Sequence, residues 1–231
     1  MTFSQRSYQK ELLDQDNIPF PDILQNMKEL NFINTWLGGH KITIDGFKEL
    51  ASNRKQISVC EIGCGGGDNL VAINNYCSKK KIDVQFTGID IKKECIDVAR
   101  SRKTLPVDTV WIANDYQQAN FTSKPDIIFS SLFCHHFTDD QLLDQLRWMK
   151  DNSRVGFFIN DLNRNVFAYY SIKLLTKVFS SSYLVKNDAP LSVLRGFSRK
   201  ELHQLCSSAG IQPVNIQWKW AFRFLVTYKN E

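Results

Sequence analysis

The chain has 231 residues, 43% hydrophobic and 23% charged, proportions of one soluble globular domain and not of a disordered or low-complexity chain. Lys and Arg outnumber Asp and Glu by 29 to 24, and this net charge of +5 is too small and too dispersed for a dedicated nucleic-acid binder. No apolar run approaches the ~18 residues of a spanning helix, and Met1–Lys10 is polar without a secretion signal, so a cytoplasmic chain with no stable membrane insertion is expected.

Residues 1–50 read as a helical cover. Ile23, Met27, Leu30, Asn34 and Leu37 fall on one helical stripe, and Gly38-Gly39 ends it. Asn34 is the polar exception on that stripe. It either bonds neighbouring backbone or faces a ligand pocket.

Residues 51–231 read as the second and larger unit. Strand-like runs at Ile57–Ile62, Val84–Ile89, Val107–Ile112, Asp126–Ser130 and Val155–Asn160 are short, apolar and rich in β-branched residues. Such runs suit a parallel sheet buried on both faces, and their alternation with helices implies a doubly wound α/β fold. The first run leads into Glu61-Ile62-Gly63-Cys64-Gly65-Gly66-Gly67-Asp68. Glycines there permit a sharp turn and let a ligand approach bare backbone, and the following helix offers free N–H groups. Two familiar nucleotide loops do not fit. The dinucleotide fingerprint needs glycine where Asp68 stands, and no Lys follows as a phosphate-binding P-loop requires.

Further along, Lys79-Lys80-Lys81 reads as a solvated helix end. Asp90 closes the second strand, where a carboxylate can accept two hydrogen bonds from vicinal ribose hydroxyls. NAD enzymes use the same device, so Asp90 alone does not discriminate. Asn114-Asp115-Tyr116 closes the third strand. The fourth leads into Ser130-Ser131-Leu132-Phe133-Cys134-His135-His136. A neutral imidazole is the commonest base near neutral pH, so His135 or His136 is a candidate base or orienting group; capping the next helix or packing under the loop is the competing reading. Thr138–Gln141 and Ser198–Glu201 are capping boxes that start two helices, the second stopping at Gly210. Asp161, after the fifth strand, is either a second candidate base or a helix N-cap. The aromatic-rich stretch 166–185 reads as an apolar lid carrying Phe167, Tyr169, Tyr170, Leu174, Leu175 and Phe179. Arg195 follows it, to meet an acidic acceptor or pair with a surface acid. Ile211–Tyr228 reads as a strand pair closing the sheet edge. The six cysteines form no CxxC pair and no metal is expected; most should be small core residues.

The run from Glu61 to Gly67, E-x-G-x-G-x-G, followed by Asp90 and Asp115 at successive strand ends, resembles the class I S-adenosylmethionine-dependent methyltransferases. The resemblance implies a mostly parallel seven-stranded, Rossmann-like sheet, with the helical cover before it and a helical insertion after strand five, near 163–190. It implies that Glu61 holds the methionine end of the cofactor, that Gly63 and Gly65 pass close to it, and that Asp90 takes the ribose. Ile91 would lie on the adenine face and Asp115 at the adenine amino group, with Cys64, Asn114, Tyr116 and Ser131 in the same cradle. The loop carrying His135 and His136 would line the transfer site beside Asp161. The His pair ahead of a capped helix resembles the quinone-biosynthesis and polyketide-tailoring members, so the expected acceptor is a small, mostly apolar molecule with a phenolic, quinone-like or polyketide oxygen. A monomer or homodimer without nucleic acid follows from the same reading. An RNA or protein methyltransferase, or a cofactor-binding module without turnover, is the alternative.

Overall fold

The computed structural model describes residues 3–15 and 17–230; Met1 and Thr2 of the polar N-terminal stretch lie outside them. Helix α1 (Phe20–Trp36) ends where Gly38 takes a left-handed φ of 75°, and α2 (Gly39–Ala51) starts at once. Strands and helices then alternate: β1 (Gln56–Ile62), α3 (Asp68–Lys80), β2 (Asp83–Asp90), α4 (Lys93–Arg100), β3 (Val110–Ala113), β4 (Ile127–Ser131), α5 (Asp139–Asn152) and β5 (Gly156–Leu162). Helices α6 (Val166–Phe179), α7 (Tyr183–Arg195) and α8 (Arg199–Ser208) precede the hairpin β6 (Asn215–Lys219) and β7 (Arg223–Lys229).

The seven strands form one sheet in the order β3-β2-β1-β4-β5-β7-β6. Strands β1 to β5 are parallel, and β7 pairs antiparallel with both β5 and β6. This is the mostly parallel, doubly wound sheet that the strand–helix alternation predicts. Side chains alternate across it, as period-two geometry requires. Cys60, Ile62, Ile128, Phe157 and Ile159 pack toward α5 and α8. Val59, Ile127, Phe129 and Phe158 pack toward α2 and α3. Helix α2 lies so close that a Cβ on Gly46 would stand 2.6 Å from the Phe158 ring.

Both capping boxes form, at Thr138/Gln141 and Ser198/Glu201, and Gly210 takes the left-handed conformation after α8 (φ 73°). All six cysteines are buried and free. Lys79 and Lys80 form the exposed last turn of α3.

Four expectations are corrected. Among the described residues before α1 (3–15 and 17–19) the one helical element is a 3-10 turn at Leu12–Asp14, because this polar strap is held by side chains of other elements and not by its own helical ladder. The third strand starts at Val110 and not at Val107; the Thr109 amide closes a turn on the Pro106 carbonyl and leaves Val107 in solvent. Strand β5 runs two residues past Asn160, since β7 pairs with it as far as Leu162. Asp161 is therefore in a strand, and Asn165 caps α6 instead. The insertion is two helices, the second continuing through Pro190 to Arg195. No helix among the described residues is long and apolar enough to cross a membrane.

Candidate active site

The chain leaves β1 through Gly63 and Gly65, with φ of 65° and 50°. A Cβ on Gly63 would strike the Phe133 ring at 2.2 Å, whereas one on Gly65 would meet nothing within 4 Å. Gly65 thus presents bare backbone to open space. Its N–H donates to Asp90 Oδ2 at 2.8 Å, and the Lys92 N–H donates to Oδ1 at 2.9 Å, which fixes the carboxylate at the end of β2. Burial raises the Asp90 carboxyl, an effect these two N–H groups oppose. Around this point lies a cavity of about 600 Å³. Gly63, Gly65, Asp90, Ile91, Asn114, Asp115, Tyr116 and His136 line it, and Ile23, Asn26 and Met27 of α1 cover it. Glu61, Cys64 and Ser131, expected in the same cradle, do not reach its wall. Cys64 is buried, its sulfur near Gly88 on the sheet side. The Ser131 hydroxyl accepts from the Asn160 amide at 3.2 Å. Glu61 accepts from Asn69 Nδ2 at 2.8 Å through Oε1, while Oε2 is buried with no partner among the described residues. Burial pushes its carboxyl well above the usual range, with only Asn69 opposing. Asp68, which breaks the dinucleotide fingerprint, pairs with Arg102.

A second cavity, of about 390 Å³, adjoins the first. The two share Leu13, Leu30, Leu132 and His136. The second is walled by Ile33, Leu37, Leu162, Ala168, Ile172, Leu175, Val193 and Phe222, and His135 lies at its edge. The His135 Nδ1–H donates to Asp161 Oδ1 at 2.7 Å; a carboxylate only accepts, so this bond assigns the ring proton to Nδ1. The His135 main-chain N–H also donates to Asp161 Oδ2, at 3.3 Å. Nε2 faces Glu11 Oε1 at 3.6 Å. His135 is 3% exposed, Asp161 2% and Glu11 4%, so the three charges meet away from water. Burial by itself would depress the imidazole, but Asp161 and then Glu11 more than reverse it and push His135 up to about 9. Burial likewise works against the two carboxylates, and contact with His135 carries both below their ordinary values. His136 Nδ1 pairs with Asp14 at 3.0 Å. Glu11, His135 and His136 bring ligand-type atoms within 4.8 Å of one another, a spacing a metal ion could use. Neither histidine caps α5, whose cap is Thr138.

Sequence reasoning missed the strap. Glu11 accepts from the Ser192 hydroxyl at 2.7 Å, and Asp188 accepts the Leu12 and Leu13 N–H groups at 2.8 and 3.0 Å. Arg6 binds Asp139 at 2.6 Å and also the carbonyls of Arg195 and Phe137, each at 3.0 Å. Arg195 pairs with acids of the strap, lying 3.8 Å from Asp14 and 3.9 Å from Glu11. It is 4% exposed and donates to the carbonyls of His135 and His136, at 3.0 and 2.6 Å, and to that of Gln9. It braces the histidine turn against the strap. No local pattern marks an isolated Glu in a polar stretch as a site residue. The lid is also corrected: Ala168, Ile172 and Leu175 face the cavity, Tyr169 is buried, and Phe167, Tyr170, Leu174 and Phe179 point to solvent. Asn34 bonds a side chain instead of backbone, accepting from Arg223 Nη2 at 2.6 Å, and lines the second cavity.

Comparison with known proteins bears on the fold that carries this site. Residues 59–156 match the family described as a methyltransferase domain. The plantazolicin methyltransferase BpumL, solved in complex with SAH, superposes with a TM-score of 0.66 at 19% identity over 91% of this chain and 90% of that one. Human N-acetylserotonin methyltransferase, solved with SAM, gives 0.63 at 16% identity over 92% of this chain and 56% of that one. Magnesium protoporphyrin IX methyltransferase from Synechocystis PCC 6803 gives 0.52 at 13% identity over 94% and 90%. Comparison with curated proteins gives no match. At these identities the structural likeness concerns the fold. The chain therefore has the class I S-adenosylmethionine-dependent methyltransferase fold. Its stretch 59–156 is a methyltransferase domain.

Proposed function

We propose that this protein transfers a methyl group from S-adenosylmethionine to an oxygen of a small, mostly apolar acceptor, phenolic, quinone-like or polyketide in kind, with His135 as general base. The observation that carries the proposal is His135, buried between Asp161 and Glu11 at the edge of an apolar cavity that shares a wall with the Gly65–Asp90 cavity.

The residues present fit the cofactor. Asp90 keeps free lone pairs for ribose hydroxyls after accepting its two N–H groups. The bare Gly63 and Gly65 backbone lies beside Asp90, and Tyr116 and Ile91 give apolar walls; Glu61 stays behind the wall, bonded to Asn69. The bound cofactor would supply an already activated methyl group, so the protein's task is alignment and proton removal. Asp161 holds Nδ1–H, so Nε2, which faces Glu11 at 3.6 Å, is the nitrogen that would take the acceptor proton. A base near 9 is well matched to a phenol of about 10, so the transfer costs little once the imidazole is neutral. Apolar walls favour a small acceptor over a nucleic acid or a folded protein.

The test has two stages. S-adenosylhomocysteine at ~100-fold its dissociation constant should stabilise the protein by about 2.7 kcal/mol, or roughly 5–10 °C, with NAD as the inert control. Incubation with S-adenosylmethionine and a panel of phenols should then give singly methylated products by mass spectrometry. A shift with NAD alone would overturn the cofactor assignment. Binding of S-adenosylhomocysteine with no product on any phenol would overturn the acceptor class.

A further inference from the structure

We infer that Arg223 forms a carboxylate-binding subsite in the acceptor cavity, so that the acceptor is an acid as well as an apolar molecule. The inference rests on the methyltransferase reading above and adds the charge of the substrate to it.

Four arginines in the described structure are equally buried: Arg6, Arg164, Arg195 and Arg223, at 7, 8, 4 and 3% exposure. Three have carboxylates. Arg6 pairs with Asp139 at 2.6 Å, Arg164 with Glu201 at 2.7 Å, and Arg195 lies 3.8 Å from Asp14 and 3.9 Å from Glu11. Arg223 has no carboxylate within ion-pair distance among the described residues. Its Nη2 donates to the neutral Asn34 Oδ1 at 2.6 Å, and its Nη1 is buried with no partner. A guanidinium taken from water without a counter-charge is costly, and a protein retains one where a ligand completes it.

The surroundings are shaped to admit this side chain. A Cβ on Gly39 would stand 3.0 Å from Nη1 and 2.9 Å from Asn34 Oδ1, so a bare backbone position makes room for the pair. Arg223 begins β7 and lines the apolar cavity together with His135 and Ser171. Burial lowers the guanidinium to about 10, the more distant Asp161 charge opposing the fall, which leaves it charged at neutral pH. Nη1 is the donor left over, and a carboxylate is the acceptor that a guanidinium's planar donor set recognises best. The cofactor's amino-acid end also carries a carboxylate. Arg223 lines the second cavity and is not part of the first, which favours the acceptor as the source.

The probes are 4-hydroxyphenyl-alkanoic acids with short side chains and their carboxamides, which keep the shape and lose the charge. Binding to the S-adenosylhomocysteine-loaded protein is followed by calorimetry, or by fluorescence, since Trp220 lines the cavity. The wild type should bind the acids about tenfold or more tightly than the amides. In Arg223→Gln that ratio should fall to near one with unchanged affinity for S-adenosylhomocysteine, and Arg223→Lys should keep part of it. Equal binding of acids and amides by the wild type overturns the subsite, and this arm needs no variant to fold. Lost S-adenosylhomocysteine affinity in Arg223→Gln, with the acid-to-amide ratio intact, overturns it by assigning the guanidinium to the cofactor. Should the ratio hold while no acid is methylated, the subsite stands and the proposed reaction falls.

Discussion

The two adjoining cavities are built in opposite ways. The floor of the Gly65–Asp90 cavity is one strand-to-helix turn and the ends of β2 and β3, each a short contiguous stretch of chain, and the strap, α1 and the histidine turn only close it over. The His135 cavity is made by side chains from the strap, α1, α6, α7, the histidine turn and the approach to β7, which are dispersed over the whole sequence. The first needs glycine and strand-end acids, whatever is bound on the other side. The second depends on which side chains converge, and so can be altered residue by residue without disturbing the sheet.

The largest expected effect tests the second cavity. His135→Asn should lower kcat by about 10²–10⁴-fold and leave S-adenosylhomocysteine affinity unchanged. Unchanged turnover would remove the base and leave His135 a packing residue. Gly65→Ala tests the first cavity. Its Cβ meets nothing in the structure, so folding should cost only the left-handed conformation, about 1–2 kcal/mol. Cofactor affinity should nevertheless fall about tenfold or more, because the methyl would fill the space a ligand crosses. If affinity holds, the glycine serves the turn alone and the contrast between the cavities weakens.

A finer test uses pH. His135 must be neutral to act as base, so kcat should rise with pH toward about 9. Glu11→Gln removes one of the two charges holding the imidazole up, so the rising limb should move to lower pH; an unmoved limb would detach the strap from the chemistry. The same groups govern stability. The His135 value of about 9 lies above the ~6.5 of an unfolded chain, so its contribution is complete below about 6.5 and is lost as pH rises through about 9. Asp161 and Glu11 are depressed, so theirs is present above the ordinary carboxylate range and is lost as pH falls through it. The melting temperature should therefore fall between pH 7 and pH 10 in the wild type, and by less in His135→Asn.

What could be read from the sequence follows the same division. The glycine run, the strand-end acids and the seven strands were legible because they rest on local rules of turn geometry and alternation. The His135–Asp161 contact was half legible: both residues stood out, but their pairing depends on β5 lying beside β4 in the sheet and extending two residues beyond its apolar run. Glu11, Asp14 and Arg6 were not legible at all, since the strap has no periodicity and gains its structure from Asp188, Ser192 and Arg195 more than 170 residues away. Arg223 was hidden for a different reason. It stands at the start of an alternating strand, where an Arg ordinarily reads as a solvent-facing end.

The smallest effect is the control that separates folding from chemistry. Ser198 caps α8, its hydroxyl accepting from the Glu201 N–H at 3.3 Å while Glu201 Oε2 accepts the Ser198 N–H at 2.7 Å. Both residues lie outside the two cavities. Removing the hydroxyl in Ser198→Ala should cost about 1 kcal/mol, a fall of roughly 2–4 °C for a chain of this length. It should leave kcat and cofactor affinity unchanged. Glu201 also holds Arg164, which binds the Phe3 carbonyl at 2.9 Å, so α8 is two contacts from the strap. If Ser198→Ala lowers kcat as well as the melting temperature, strap position is coupled to helix stability, and the acceptor side cannot be altered independently of the framework that carries it.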